Sequence, residues 1–107
     1  MKKTIKPGTL LMPLPAVMVS CGSIEKPNII TIAWTGIVNS TPPMTYISVR
    51  KSRYSHDLIA ESGEFVINLT TEALTFATDY CGVKSGRDVD KFQEMELTPQ
   101  ACAQVQC

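Results

Sequence analysis

The stretch TYISVRKSRYSHDLIAESG, residues 45–63, changes backbone period halfway along and gathers charge at the change. Thr45-Tyr46-Ile47-Ser48-Val49 is β-branched and aromatic and reads as a strand. Asp57-Leu58-Ile59-Ala60-Glu61 reads as a short helix that Gly63 closes. Between them RKSRYSH, residues 50–56, sets three permanent cations, two serine hydroxyls, a phenol and the one histidine of the chain at the strand-to-helix junction. Unpaired N–H groups at a helix start attract anions. Arginine presents a planar fork matched to phosphate oxygens, and serine hydroxyls donate to the same group or cap the helix. The junction is therefore a candidate phosphate seat. The same residues also suit a solvated basic turn, and both readings stand at this point.

Outward from the junction the chain alternates strand signals with breakers. A Pro-led entry leads to a buried strand, Ala16 to Cys21, ended by Gly22. After the turn Lys26-Pro27-Asn28, the run Ile29 to Val38 reads as a second strand. Asn39-Ser40-Thr41-Pro42-Pro43 interrupts it, because paired prolines forbid helix and deny donors to a central ladder. A third strand begins near Met44, and Glu64 to Leu69 gives a fourth. A second helix is expected from Thr71 or Glu72 to Cys81, with Thr70 or Thr71 as cap and Gly82 as terminator. Four strands and two short helices predict a β-rich α+β domain, a barrel or strongly curled sheet with helices outside. The chain has no internal repeat. Without GxGxxG or GKS/GKT, a dinucleotide fold of the Rossmann type and a P-loop are disfavoured.

The 107 residues are 44% hydrophobic and 19% charged, with ten cations against ten acids. One domain, residues 1–107, is expected. A neutral chain with one basic knot suits a compact anionic ligand; an extended nucleic acid would usually require a basic excess. Lys2, Lys3 and Lys6 ahead of the apolar stretch Leu10 to Val19 and Ser20-Cys21 mimic a lipoprotein signal. Pro13 and Pro15 would break its helix twice, so a cytoplasmic protein is expected, and no stretch is long enough to span a membrane. Cysteines 21, 81, 102 and 107 show no CxxC spacing, which supports neither a metal site nor a disulfide framework. Cys21 and Cys81 are expected as small core thiols, with Cys81 also a candidate redox group.

The blocks NIITIAW (28–34), PPMTYISVRKSRYSHDLI (42–59), GEFVINL (63–69) and DYCGVKSGRDVDKF (79–92) together resemble the flavin reductase-like, FMN-binding split-barrel family, especially its flavoredoxin-type branch. The resemblance runs from about Pro15 to Thr98, in family order. It implies a split β-barrel, usually a homodimer, that binds FMN non-covalently near the subunit interface. It places Asn28, Thr31, Ala33 and Trp34 beside the flavin, where an extended segment offers backbone donors and acceptors in a row. It assigns the Arg50 to Ser55 turn to the phosphate and adjoining ribityl chain, with Arg50, Ser52, Arg53 and Ser55 as contacts and Lys51 turned away. It sets Lys91 near the flavin, where an ammonium would stabilise the anion of the reduced ring. On its own, Trp34 is also an ordinary core aromatic, and Lys91 a surface lysine paired with Asp88 or Asp90. Tyr54 stacks or packs, His56 is a first-turn surface residue, and Asn68, Cys81, Gly82 and Ser85 are supports.

The implied activity is that of a flavin reductase or electron-transfer oxidoreductase, supplied by NADH, NADPH or a protein electron donor. Such chemistry needs positioning and tuning of a flavin, not a catalytic acid or base, and none is assigned. The pattern changes at the end. Residues 99–107, PQACAQVQC, do not resemble the family's continuation, which normally adds nearly as many residues again and completes the barrel. A truncated or frame-shifted reading frame, or a naturally shortened paralogue, is expected, with unpaired strand edges. The alternative function is a non-catalytic split-barrel fragment with weak FMN binding or none.

Overall fold

A computed structural model of the chain describes residues 1–105. Its centre is β1 (Val17–Gly22), flanked antiparallel by β2 (Pro27–Ile32) and β5 (Val66–Leu69) in the order β2-β1-β5. Val19 stands opposite Ile30 on one side and Ile67 on the other. Side chains alternate between the two faces of a strand, and here both faces are covered. Val17, Val19, Ile30 and Ile32 bury one face against Ile47, Val49, Ile59, Phe65 and Ile67. Met18, Ile29 and Cys81 bury the other against Leu74, Phe92, Met95 and Leu97. This explains why apolar residues, Val17, Met18, Val19 and Cys21, occur on both faces of β1.

The expected second strand is in fact two strands. β2 stops at Ile32, the chain steps through Ala33 and Trp34, and β3 (Thr35–Ser40) pairs with β4 (Pro43–Ile47) in a separate two-stranded ribbon. The step is pinned by the Ser48 amide donating to the Trp34 carbonyl at 2.8 Å. A β-branched run reports extended backbone but not a change of partner, so composition concealed the break. The ribbon's irregular register between Ile37 and Asn39 marks a bulge. Its apolar residues stay largely outside: Ile37 is 86% exposed, and Val38, Met44 and Tyr46 are also exposed.

Helix α1 (Tyr54–Ser62) begins three residues earlier than the sequence suggested, with Arg53 at the N-cap. No side chain caps that end, so the serines of the junction do not serve as its cap. Gly63 closes the helix as expected, at φ 71° with its amide on the Ile59 carbonyl. The second expected helix is a 3-10 turn, Glu72–Leu74, running into α2 (Thr75–Val83). Thr71 precedes the turn without a side-chain cap bond. Gly82 lies inside α2, and Lys84 is the C-cap. A four-residue helix, α3 (Lys91–Glu94), was not anticipated; the Asp90 carboxylate accepts from the Gln93 amide at its start.

The described residues thus form five strands with short flanking helices, a β-rich α+β architecture in which the barrel does not close. Strands β2 and β5 are the edges of the main sheet. Among the described residues no helix is long and apolar enough to cross a membrane, and no cluster of His, Cys, Asp or Glu is arranged to hold a metal.

A Cβ placed on Gly63 would meet nothing within 4 Å, so a substitution there acts only through the backbone. Gly63→Ala is expected to lower unfolding free energy by about 1–2 kcal/mol, the cost of a left-handed conformation for an L side chain. Urea denaturation measures it; an unchanged midpoint would show that the helix end has relaxed to another conformation.

Candidate functional site

The step at Ala33-Trp34 and the junction at residues 48–53 face each other because the Trp34–Ser48 bond holds them together. Between them lies an open groove of about 400 Å³, with Thr31, Ala33 and Trp34 on one wall and Ser48, Val49, Arg50, Ser52 and Arg53 on the other. The Arg50 guanidinium stands over the Trp34 ring, 5.3 Å from its centroid, a cation–π contact that orients both side chains. Trp34 is 38% exposed, too open for an ordinary core aromatic. The turn is closed by the Arg53 amide on the Arg50 carbonyl, and α1 starts with the His56 amide on the Arg53 carbonyl, both at 3.0 Å.

A second compartment, of about 200 Å³, shares Ile30, Ser52 and Arg53 with the groove and continues to Ser55, Lys84, Ser85, Arg87 and Lys91. Four cations line it, and among the described residues no carboxylate does. Three of them, Arg53, Arg87 and Lys91, are held in place. Arg53 donates from Nη2 to the Gly82 carbonyl at 2.7 Å. Arg87 donates from Nη1 to the Ser52 carbonyl at 3.1 Å and lies over the Tyr54 ring, 5.5 Å from its centroid. Lys91 is 3% exposed, and its ammonium donates to the carbonyls of Ile29 and Cys81, each at 2.9 Å. The surface-lysine reading with Asp88 or Asp90 is thereby overturned.

The other candidates divide in the same way. Thr31, Ala33, Trp34 and Arg50 line the groove alone, Ser52 and Arg53 line both cavities, and Ser55 and Lys91 line the cationic compartment. Asn28 lines neither. It is buried behind the compartment, where its amide donates to Ser55 Oγ at 2.7 Å and so orients the serine. A Cβ on Gly86 would fall 2.4 Å from Asn28 Oδ1 and 2.5 Å from the Tyr54 ring, so only glycine admits this close approach. Thr31 commits its hydroxyl to the Thr78 carbonyl, leaving its backbone for the groove. Lys51 is exposed and lines neither cavity, and His56 is half-buried with Nδ1 3.1 Å from the Asp57 carboxylate. Lys84 and Arg87 were not singled out from the sequence; the charge-rich loop following α2 was the signal available.

Burial depresses the Lys91 pKa below the ordinary lysine value; Arg53 adds to this, and the Cys81 and Cys21 thiols oppose it. Burial raises the Cys81 thiol, with Lys91 opposing. Cys81 is fully buried, the small core thiol the sequence suggests. Cys21, Cys81 and Cys102 form no disulfide.

The sequence and the fold both have counterparts among known proteins. The sequence profile of the flavin reductase like domain matches residues 9–107, and the chain belongs to that family. An uncharacterized protein of Archaeoglobus fulgidus is 34% identical over 88 residues, covering 82% of this chain and 49% of that protein. The Escherichia coli uncharacterized protein YddH is 40% identical over 68 residues, covering 64% of this chain and 36% of that one. The chain thus spans half or less of the length of these curated relatives. Among solved structures, the flavoredoxin of Desulfovibrio vulgaris (Miyazaki F) superimposes with a TM-score of 0.90 at 37% identity, covering 99% of this chain and 58% of that one. The flavoredoxin of Methanosarcina acetivorans gives 0.74 at 35% identity, covering 84% and 50%.

The two shifted groups set opposite pH dependences. Between the folded Lys91 value and 10.5 the unfolded chain holds the extra proton, so this group's contribution to stability rises with pH. Above 9.0 the unfolded Cys81 thiol ionises while the folded one keeps its proton, so that contribution falls. Across pH 9.0 to 10.5, Lys91→Met is expected to steepen the alkaline loss of stability and Cys81→Ala to flatten it, as read by urea denaturation. Parallel curves for both variants and the parent would contradict the burial of this pair.

Proposed function

We propose that the chain binds FMN, with the ring and ribityl chain in the Trp34 groove and the phosphate in the cationic compartment, and that it serves as a flavin reductase or flavoredoxin-like electron carrier. The observation that carries this reading is the joining of two unlike cavities through Ser52 and Arg53. One is open and walled by an indole and an extended backbone; the other is lined by cations without a carboxylate.

Arg53, Arg87 and Lys91 answer the phosphate charge, and the Ser52 and Ser55 hydroxyls supply short polar contacts. Since the guanidiniums and the ammonium are already tied to main-chain carbonyls, little side-chain freedom is lost on binding. A bound flavin supplies hydride and electron chemistry. The protein binds and orients it, and the Lys91 charge, held in the interior, favours negative charge nearby. The open side of the groove leaves an approach for NADH, NADPH or a protein electron donor. A second copy of the chain is the proposed cover for the exposed ribbon residues Ile37, Val38, Met44 and Tyr46, beside Trp34, giving a homodimer. We place the protein in the cytoplasm, in keeping with Cys21, Cys81 and Cys102, which form no disulfide among the described residues.

Riboflavin, which has the ring and ribityl chain without the phosphate, separates the two cavities. Titration followed by Trp34 fluorescence is expected to show FMN binding about 10–100-fold more tightly than riboflavin, the ratio corresponding to about 1.4–2.8 kcal/mol of charge-assisted hydrogen bonding. Arg87→Gln, at a residue that lines the cationic compartment and not the groove, is expected to remove most of that difference and leave riboflavin binding nearly unchanged. Anaerobic NADH then tests for reductase activity by bleaching the retained yellow colour. Folded chain that loses all colour on dialysis and shows no quenching by FMN would defeat the proposal and favour the non-catalytic fragment.

A further inference from the structure

The turn at residues 50–53 gathers cations from two parts of the chain. Arg50, Lys51 and Arg53 stand in it, and Arg87 reaches it from the loop after α2 by donating to the Ser52 carbonyl at 3.1 Å. Lys84 joins Ser52, Arg53 and Arg87 in the lining of the cationic compartment. Arg50, Lys51, Lys84 and Arg87 are exposed, and among the described residues none of them pairs with a carboxylate. Of the acids close to these cations in sequence, Asp88 follows Arg87, and Asp57 faces His56 at 3.1 Å.

A phosphate answers only part of this charge. A phosphomonoester carries about two negative charges, whereas Arg53, Lys84, Arg87 and Lys91 all line the compartment. Lys51 lines neither the compartment nor the groove, and Arg50 lies over Trp34 in the groove wall. The surplus therefore borders the open groove where Trp34 is partly exposed. Arginine and tryptophan are the residue types that most often anchor protein interfaces, and a positive rim steers a partner of opposite sign. Because the chain as a whole is neutral, this field belongs to one face. One face suits a compact acidic protein, whereas an extended polyanion needs cations along its whole path.

We propose that the turn at residues 50–53, with Lys84 and Arg87, is a docking face for an acidic one-electron donor protein, which meets the groove at its Trp34 side. The proposal rests on the flavin reading and names the kind of partner that serves that site. The contact is of the small, salt-sensitive kind that redox encounters use. Each donor leaves oxidised by one electron; two encounters supply the two electrons that a flavin takes up, and the two protons come from water.

The probe is an oxidised plant-type ferredoxin of net negative charge, titrated calorimetrically into the full chain with FMN present. Binding is expected at about 50 mM NaCl and is expected to weaken about tenfold or more at about 300 mM. Lys51→Glu is expected to weaken it about fivefold or more while FMN affinity stays within about twofold, since Lys51 lines neither cavity. Lys6→Glu, the same change of charge in the exposed N-terminal segment, is expected to leave ferredoxin binding within about twofold. No binding at the lower salt, or equal losses for the two variants, overturns the proposal. NADPH binding about tenfold more tightly than NADH, with that gain lost in Lys51→Glu and no ferredoxin bound, also overturns it and makes the turn a seat for a ribose phosphate. The two readings fail separately: ferredoxin bound through Lys51 by a folded chain that holds no FMN sinks the flavin reading, whereas a yellow chain that binds no ferredoxin sinks this one alone.

Discussion

The ammonium of Lys91, set inside the protein on the carbonyls of Ile29 and Cys81, is the contact on which the site side of the fold depends. One nitrogen joins the edge strand β2, the last turns of α2 and the start of α3. An unpaired charge at that depth would be strongly disfavoured, so the three elements must close around it with both carbonyls in reach. The same closure brings the loop of Ser85, Gly86 and Arg87 over the N-terminus of α1. Asn28 then meets Ser55, Arg87 meets Tyr54 and the Ser52 carbonyl, and Arg53 reaches the Gly82 carbonyl. Each of these bonds crosses between segments far apart in sequence. The cationic compartment is thus a product of tertiary closure around one charge, and no single loop could form it alone.

What was legible in the sequence was local. Residues 50–56 were readable as an anion seat from residue type alone, and Gly63 as a helix end, because both depend on neighbours within one turn. The strand at Val17–Gly22 was readable from its apolar residues Val17, Met18, Val19 and Cys21 and the glycine that ends it. Beyond that range the signal faded. Ile29 to Val38 is one β-branched run, yet its two halves pair with different sheets. Lys91 in Asp90-Lys91-Phe92 looks like an exposed cation among acids, since nothing adjacent announces two buried carbonyls contributed from ten and 62 residues away. Gly82 looks like a terminator, although the helix continues through it. Arg87 escaped notice because its partners, Ser52 and Tyr54, lie 35 and 33 positions upstream.

The cations of the site also explain how a neutral chain carries a strongly positive cavity. Ten cations balance ten acids overall, but Arg53, Lys84, Arg87 and Lys91 converge on one compartment while the acids remain outside its lining. Segregation of this kind focuses potential without an excess of net charge, which keeps affinity for a small anion apart from affinity for polyanions.

The ribbon of β3 and β4 leaves the main sheet through Trp34 and returns through Ser48, and these two residues are bonded to each other. Trp34 and Ser48 are therefore the two feet of one arm, and both line the groove. The exposed far end of that arm, at Ile37, Val38 and Met44, is thereby joined through the chain itself to both walls of the groove.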